Sequence, residues 1–361
     1  MNWNSRLIEE NERDFYDEYV SHHAKGHILQ SFAWGEIKAK SGWTPLRLMI
    51  FGDGEPRGAI SVLKRHTPLG RNVFYASRGP VIDIADSEAI AFMMAELEKL
   101  AREHNAIYLK IDPDVTSDRE DWQAMLKQYD FQPAGSGSGF EGVQPRYVFR
   151  LDITPDEDTL LANMHQKTRY NLRLAGKKGV TIDDSARRED LPAFYELLTT
   201  TAERDHFLIR NYSYFEALYD YLVPQGLGHM FLGYYDGKLV AGTFLFKYGQ
   251  NAWYIYGASA NEYRNVMPNY LIQWEMVRWS KAHDCTMYDF RGVPGHLTED
   301  NPLYGLYKFK KGFNGDYLEF IGEYDRVYQP FFYKLYRFLE PKYYVWVRKW
   351  VRFKKKLKGN K

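Results

Sequence analysis

The chain has 361 residues, of which 45% are hydrophobic and 26% charged, with a formal net charge of +1, and this is an ordinary globular composition with room for two domains. The single cysteine, Cys285, excludes a disulfide framework and fits a reducing compartment. The N-terminus is polar and no stretch of 18 apolar residues occurs, so neither a signal peptide nor a membrane span is expected, and a cytoplasmic protein is predicted.

Two segments of the chain resemble each other, which indicates an internal duplication. Each begins with a strand, an Asp-Gly turn and a second strand, since Asp-Gly accepts the positive φ angles of a tight hairpin. The turns are Asp53-Gly54 and Asp236-Gly237. Each copy continues with a third strand, a helix and a short strand: Asn72–Ala76, Ser87–Glu103 and Ile107–Ile111 in the first copy, and Ala252–Gly257, Asn269–His283 and Thr286–Phe290 in the second.

Hairpin, strand, helix and strand in this order resemble the core of the acetyl-CoA-dependent N-acetyltransferases. The sequence therefore predicts an α/β protein of two tandem acetyltransferase-like (GNAT-like) domains with mixed sheets, followed by a basic aromatic C-terminal helix. The expected boundaries are 1–150, 151–328 and 329–361. The two short strands end at Asp112 and Arg291, and a polar side chain at a strand end in an α/β fold opens onto a cleft.

A basic helix is predicted between the copies, over Asp156–Lys178. Its register brings Lys167, Arg169 and Arg173 close together, so these side chains could meet phosphate. The alternative is an ordinary solvated helix face.

The usual acetyl-CoA site is missing from both copies. That site needs small residues in a turn at a helix N-terminus, where backbone N–H groups approach the pyrophosphate. In the second copy the corresponding segment is Arg264–Asn269, which has no glycine and in which Pro268 lacks a donor. In the first copy Pro80–Ser87 has no glycine-rich run either. A different acyl donor is therefore expected.

Five motifs in order resemble the FemABX family of peptidoglycan bridge-forming transferases: Gln30–Lys38, Lys167–Arg173, Pro268–Glu275, Tyr288–Val293 and Leu306–Phe313. The resemblance implies aminoacyl-tRNA as donor, whose phosphates Lys167, Arg169 and Arg173 would bind, and a muropeptide precursor, UDP-linked or lipid-linked, as acceptor. No cofactor is expected, and no metal either, because the few histidines show no metal-ligand spacing. Some members carry a coiled-coil arm in the second domain. No sustained heptads occur between Asp183 and Gly228, so the armless type is predicted. Armless members resemble the enzyme that acts on a UDP-linked muramyl pentapeptide, which favours a nucleotide-linked acceptor.

The resemblance also implies catalytic residues. Lys310 corresponds to a family lysine close to the reacting carbonyl, where an ammonium offsets the charge of the oxyanion. Phe309 would pack against the tRNA end or the acceptor. Asp112 is a candidate because of its strand-end position, and it could accept the proton of the attacking amine or orient the amine. The alternatives are a surface lysine in a run with Lys308 and Lys311, and an aspartate that only begins a turn.

Four residues are candidates for acceptor binding. Lys38 and Arg210 would hold a diphosphate, because Arg offers a rigid fork and Lys a point charge. Tyr214 and Tyr256 would hydrogen-bond sugar or phosphate oxygens. The alternative roles are covering a helix flank for Lys38 and sheet packing for Tyr256.

The C-terminal tail alternates aromatic and basic residues over Phe331–Phe353, and nine Lys or Arg lie between Lys342 and Lys361 without an acidic residue. Docking on the body is the favoured interpretation. Contact with the inner face of the membrane is the second, because Trp and Tyr prefer the interface and basic residues anionic lipid. Holding tRNA phosphates is the third.

Two other functions remain open. One is an acyl-CoA-dependent N-acyltransferase that acts on a sugar or polysaccharide precursor, against which the missing pyrophosphate turn argues. The other is a non-catalytic binding module, in which Lys310 and Asp112 would be dispensable.

Overall fold

A computed structural model describes residues 1–135, 142–295, 297–340 and 342 of the chain. It contains two mixed sheets covered by helices, which confirms the predicted fold class. In the described residues no helix is long and apolar enough to cross a membrane.

The first sheet has the strand order β1-β2-β3-β4-β6-β15-β7, with β5 paired to β3. Its parts up to residue 133 are β1 (Trp3–Leu7), α1 (Arg13–His22), α2 (Phe32–Ala39), β2 (Thr44–Gly52), β3 (Glu55–His66), β4 (Asn72–Ala76), β5 (Val81–Ile82), α3 (Ser87–Glu103), β6 (Ala106–Ile111), α4 (Glu120–Gln128) and β7 (Phe131–Pro133).

The second sheet has the strand order β14-β8-β13-β12-β11-β10-β9. The elements from residue 147 onward are β8 (Tyr147–Asp152), α5 (Glu157–Asn163), α6 (Gln166–Lys177), β9 (Thr181–Asp183), α7 (Leu191–Asp205), α8 (Tyr212–Leu222), β10 (Gly228–Tyr235), β11 (Lys238–Tyr248), β12 (Asn251–Ser259), α9 (Pro268–Ala282), β13 (Met287–Gly292), α10 (Tyr304–Lys311), β14 (Asp316–Glu319) and β15 (Tyr324–Val327). Residues 330–340 form a further helix.

Both Asp-Gly hairpins form as predicted. Asp53 and Asp236 have φ angles of 52° and 50°, and the glycine that follows each one also has a positive φ. Gly52 pairs with Glu55 and Tyr235 with Lys238, so each turn has two residues. This is the backbone conformation for which Asp-Gly is selected in short hairpins.

In each copy the third and fourth strands of the repeat are parallel and are joined by a helix. The strands β4 and β6 stay paired as far as Ala76 and Ile111, with one register shift between Asn72 and Phe74. The pair β12 and β13 is registered only from Asn251 to Trp253, after which the two strands separate. This separation opens the second sheet between Tyr254 on β12 and Arg291 on β13.

The predicted single helix Asp156–Lys178 is wrong, because the chain forms two helices, α5 and α6. Met164 is extended, with ψ of 152°, and ends α5. The Nδ1 of His165 then accepts from the N–H of Lys167 and caps α6. Arg169 on α6 donates to the carbonyls of Leu161 and Ala162, and it thereby satisfies the free C-terminal end of α5.

The region predicted to lack an inserted arm contains two short helices that pack on the body. Leu198 of α7 and Leu218 of α8 are buried in one hydrophobic core with Phe244 of β11. The same core contains Tyr16 of α1 and Phe32 of α2, so the N-terminal helices fill the space between the two halves. The absence of an arm between β9 and β10 is confirmed.

The chain returns to the first sheet near its end. The expected boundaries assign residues up to 328 to the second domain, whereas β15 pairs with β6 and β7. The helix 330–340 follows and packs Phe332, Tyr333 and Tyr336 against Val73 and Tyr108. This docking agrees with the favoured interpretation for the start of the tail; residues 341 and 343–361 lie outside the described residues.

Candidate active site

Lys310 lies near the end of α10 and is buried, with 4% of its surface exposed. Its Nζ donates to the carbonyl oxygen of Gly292 at 2.8 Å and lies 5.6 Å from the ring centroid of Tyr254. It therefore occupies the gap between β12 and β13. Its neighbours Lys308 and Lys311 are exposed, so Lys310 is not one more surface lysine of that run.

The ammonium of Lys310 is costly to bury, and its pKa reflects this cost. Burial is the main cause that lowers the pKa of Lys310 to about 7, with Asp289 opposing and Arg291 adding to the decrease. A lysine with a pKa near neutrality exchanges its proton readily at physiological pH.

Phe309, the residue before Lys310, packs against Tyr270 of α9 and Phe313, with ring centroids at 5.0 and 5.5 Å. In the structure its ring therefore contributes to an apolar cluster that fixes α10 against α9.

Asp112 follows β6 and is buried, with 2% of its surface exposed. Its Oδ2 accepts from the hydroxyl of Tyr75 at 2.6 Å and its Oδ1 from the backbone N–H of Arg78 at 2.7 Å. Burial raises the pKa of Asp112 to about 6, although Arg78 and the two hydrogen bonds oppose this rise. The carboxylate is thus ionised at neutral pH but held inside the protein.

A chain of hydrogen bonds joins Asp112 to the second half of the molecule. Gln144 donates from Nε2 to the hydroxyl of Tyr75 at 3.5 Å, and its Oε1 accepts from Nη2 of Arg291 at 2.8 Å. Arg291 directly precedes Gly292, whose carbonyl accepts from Lys310. The hydrogen-bond chain from Asp112 therefore ends on the side chain of Arg291, and Lys310 contacts the backbone carbonyl of the next residue.

A second set of charges holds this region together. Arg150 donates to Asp289 at 2.9 Å and to Asp114 at 2.9 Å, and so links β8 and β13 to the loop after β6. Burial raises the pKa of Asp114, but Arg150 more than offsets this and the pKa is below its usual value. The carboxylate of Asp289 thus pairs with Arg150, and the side chain of Arg291 donates to Gln144 instead.

The sequence analysis did not identify Tyr75, Arg78, Gln144 or Arg150. Arg78 lies two residues after β4, so the strand-end criterion that selected Asp112 would have selected it too. Gln144 and Arg150 have no such signal, because only the pairing of the two halves brings them to Arg291 and Asp114.

The four predicted acceptor-binding residues come together in the fold. Nζ of Lys38 lies 5.5 Å from the ring centroid of Tyr214, and the guanidinium of Arg210 lies 5.7 Å from it. The hydroxyl of Tyr256 donates to that of Tyr214 at 3.2 Å. Within the described part of the chain, neither Lys38 nor Arg210 forms an ion pair with a carboxylate.

Two cations without a carboxylate partner destabilise each other. Burial and, to a smaller extent, the nearby charge of Arg210 together lower the pKa of Lys38 to about 8. An anion between them would remove this repulsion. Both Arg210 and Arg291 act on the pKa of Tyr256, which burial raises, so Tyr256 lies between the cation pair and the Lys310 region.

The three residues predicted to bind tRNA lie on α6 and differ in their surroundings. Lys167 and Arg173 are exposed, whereas Arg169 is engaged by the carbonyls at the end of α5. The helix contacts α10: the N–H of His165 donates to the carbonyl of Gly312 at 2.9 Å. This basic helix therefore begins beside the segment that carries Lys310.

The segment that would bind pyrophosphate in an acetyl-CoA enzyme has an unsuitable conformation. Arg264–Val266 forms a short 3-10 helix, and Met267 precedes α9 with a φ of 60°. Pro268 is the first residue of α9 and supplies no N–H donor. Among the described residues no group of three His, Cys, Asp or Glu has metal-site geometry, and Cys285 is buried.

Comparisons with known proteins agree on one family. The FemAB family model matches residues 11–227 and 229–341. The lipid II:glycine glycyltransferase of Staphylococcus aureus strain USA300 is 31% identical, over 91% of this chain and 94% of its own. The aligned region of 398 positions exceeds the 361 residues of this chain, so that relative carries residues that this chain lacks.

Solved structures show the same relationship. The crystal structure of FemX superposes with a TM-score of 0.86 at 29% identity, covering 92% of this chain and 99% of that one. A tandem GNAT protein from the clavulanic acid biosynthesis pathway superposes with a TM-score of 0.55 at 12% identity, covering 90% and 98%. The second likeness shows the tandem fold alone. On the family model and the relatives together, the chain belongs to the FemAB family.

Proposed function

We propose that this chain transfers an amino acid from an aminoacyl-tRNA to the side-chain amine of the stem peptide in a peptidoglycan precursor. The observation that carries the proposal is Lys310, a buried amine in the gap between β12 and β13. It donates to Gly292, the residue after Arg291, on which the hydrogen-bond chain from Asp112 ends. The glycyltransferase relatives support the enzyme class, an aminoacyltransferase.

In this reaction the amine nitrogen attacks the ester carbon that joins the amino acid to tRNA. A C–N bond forms, the C–O bond to the tRNA breaks, and a proton moves from the amine to the departing oxygen. The ester is already activated, so the enzyme must align the partners and stabilise the oxyanion of the tetrahedral intermediate. The ammonium form of Lys310 supplies that stabilisation, because buried charge acts with little screening.

Asp112 would act on the attacking amine. Its ionised carboxylate keeps lone pairs beyond those that accept from Tyr75 and Arg78. It can take the amine's proton or hold the amine in line for attack. Phe309 would contribute through the apolar cluster with Tyr270, which keeps α10 and therefore Lys310 in place.

The acceptor's diphosphate would bind between Lys38 and Arg210. Tyr214 would donate to its oxygens, and Tyr256 would orient the hydroxyl of Tyr214 by donating to it. Support comes from the lack of a carboxylate partner for either cation among the described residues. A lipid-linked acceptor is favoured over a UDP-linked one, since the curated relatives are named for lipid II.

The donor tRNA would approach along α6, where Lys167 and Arg173 are exposed and the helix starts beside Gly312. The terminal helix would contact the inner face of the membrane. Phe331 and Phe338 are exposed on it, and the ammonium of Lys342 lies 3.4 Å from the ring centroid of Phe338. Aromatic rings with basic neighbours suit an anionic lipid surface.

The test is a mass measurement. The purified protein is incubated with a pool of charged tRNA and either UDP-linked muramyl pentapeptide or its lipid-linked counterpart. We expect a mass gain of one amino-acid residue, whose size names the amino acid. No gain with either acceptor, together with modification when acyl-CoA replaces the charged tRNA, would contradict the proposal and favour an acyl-CoA-dependent N-acyltransferase.

A further inference from the structure

The loop between α7 and α8 exposes two large apolar side chains next to each other. Leu208 is 84% exposed and Phe207 is 44% exposed. Single exposed apolar residues are common on soluble proteins, but adjacent ones of this size mark contact surfaces more often. No described part of the chain covers this pair.

The loop is anchored on both sides of its tip, which consists of Phe207 and Leu208. The fold therefore holds these two side chains in an exposed position. On one side His206 ends α7 in the left-handed conformation, and Arg204 donates to the carbonyl of Ser259 at 3.0 Å. On the other side Ile209 packs against the core, and the hydroxyl of Tyr195 donates to the carbonyl of Arg210 at 3.1 Å.

The apolar tip adjoins the cation pair. Leu208 is two residues before Arg210, so their Cα atoms are at most about 7 Å apart. Arg210 and Lys38 share the ring of Tyr214 and form the proposed diphosphate site. A group attached to the bound diphosphate on the Arg210 side would therefore begin within reach of Leu208 and Phe207.

The two forms of acceptor differ at this position. A lipid-linked precursor continues from its diphosphate into an isoprenoid chain, and a nucleotide-linked one continues into uridine. Leu208 has no hydrogen-bonding side chain to offer a ribose or a uracil, whereas a leucine and a phenylalanine side by side match a branched hydrocarbon.

Building on the proposed function, we propose that Phe207 and Leu208 bind the isoprenoid chain of a lipid-linked acceptor whose diphosphate lies between Lys38 and Arg210. The tip thereby selects lipid-linked over nucleotide-linked precursor. It affects binding of the acceptor and leaves the chemistry at Lys310 unchanged.

The first test compares acceptors. The Phe207→Ser/Leu208→Ser double variant is assayed with lipid-linked and with UDP-linked muramyl pentapeptide. We expect the KM for the lipid-linked acceptor to rise about tenfold or more, with kcat and the UDP-linked KM unchanged. The control is Leu7→Ser, which removes a leucine that is also exposed (42%) but lies on β1 of the first sheet.

An equal rise in KM for both acceptors would overturn the proposal, because Phe207 and Leu208 would then not distinguish an isoprenoid chain from uridine. A loss confined to the UDP-linked acceptor would mean that Phe207 stacks on uridine, which also overturns it. An unchanged KM for both would do so as well.

A second test does not depend on turnover. Binding of farnesyl diphosphate and of UDP to the wild type is measured by calorimetry. We expect farnesyl diphosphate to bind more tightly, with the preference lost in the double variant. If both probes bind equally to the wild type, the inference fails; if the preference is present but no aminoacyl transfer occurs, only the proposed function fails.

Discussion

At the scale of single residues, the site depends on charges that are buried and held by few partners. Among the described residues, Lys310 donates a hydrogen bond to the carbonyl of Gly292 and has no carboxylate within ion-pair distance. Such an arrangement reduces stability and is kept where function needs it. The structure excludes a surface position for Lys310, and its role in catalysis stays a prediction.

Replacement of Lys310 tests that role. Lys310→Ala should lower kcat by roughly 100- to 1000-fold, the size of effect seen when one stabilising donor of an oxyanion is removed. Steady-state transfer to the precursor, measured with the folded variant, gives the value. The matched control is Lys311→Ala, an exposed neighbour on the same helix, which should keep near-wild-type kcat. Equal losses in both variants would contradict the assignment.

The pH dependence follows from two pKa values. Asp112 has its pKa raised to about 6, so its carboxylate is lost as the pH falls below about 6. Lys310 has its pKa lowered to about 7, so its ammonium is lost as the pH rises above about 7. A profile of kcat/KM should therefore have its maximum between about 6 and 7.

The variant Lys310→Arg separates the two limbs of this profile. A guanidinium stays protonated throughout the accessible pH range. Activity will be lower, but the decline above pH 7 should disappear while the acid limb stays. An unchanged alkaline limb would show that another group titrates there.

At the scale of secondary-structure elements, the basic residues of α6 have two kinds of surroundings that the sequence does not distinguish. Arg169 satisfies the carbonyl end of α5, and Arg173 is exposed. Lys167 and Arg173 are thus the two members of the predicted tRNA-binding set that are free to meet phosphate.

We therefore expect opposite outcomes for two substitutions on α6. Arg173→Glu should raise the KM for aminoacyl-tRNA severalfold, most strongly at low salt, and leave the melting temperature unchanged. Arg169→Ala should lower the melting temperature, because it removes the donor that satisfies the carbonyls at the end of α5. Thermal unfolding and tRNA titrations at two salt concentrations measure both. If the KM of Arg173→Glu for aminoacyl-tRNA does not depend on salt, the hypothesis that this helix binds tRNA is wrong.

At the scale of the whole molecule, β15 and the helix 330–340 are bound to the first sheet by buried polar contacts. Asp325 on β15 is fully buried, lies 3.1 Å from Nζ of Lys110 on β6 and accepts from the hydroxyl of Tyr333 at 2.8 Å. Lys110 also pairs with Glu323 at 2.8 Å. The strand and the helix that follows it are thereby tied to the strand that leads to Asp112.

Loss of Asp325 should destabilise the molecule. Asp325→Ala leaves Lys110 buried with one partner fewer, which costs about 3 kcal/mol by analogy with other broken buried pairs. The free energy of unfolding from urea denaturation gives the value. Asp316→Ala on β14, which removes an exposed carboxylate, is the control and should change it by less than about 0.5 kcal/mol. If the two variants have equal free energies of unfolding, the buried contacts of β15 contribute little to the stability of the first sheet.

The sequence determined the local parts of this protein. The Asp-Gly hairpins, the strand Asn72–Ala76 and the helix Ser87–Glu103 follow from backbone preferences and hydrophobic periodicity, which act over a few residues. The missing glycine turn, which argued against acetyl-CoA, was also a local signal. The motifs around Lys38 and Lys310 identified the family.

The tertiary structure decided what distant residues do together. Only the fold places Gln144 between Tyr75 and Arg291, pairs Arg150 with Asp114 and Asp289, and inserts β15 between β6 and β7. It also divides the basic helix, because His165 caps α6 and Arg169 closes α5. These outcomes depend on contacts between segments far apart in sequence, whose energies no local pattern encodes, and they set the burial that shifts the pKa values of Lys310 and Asp112.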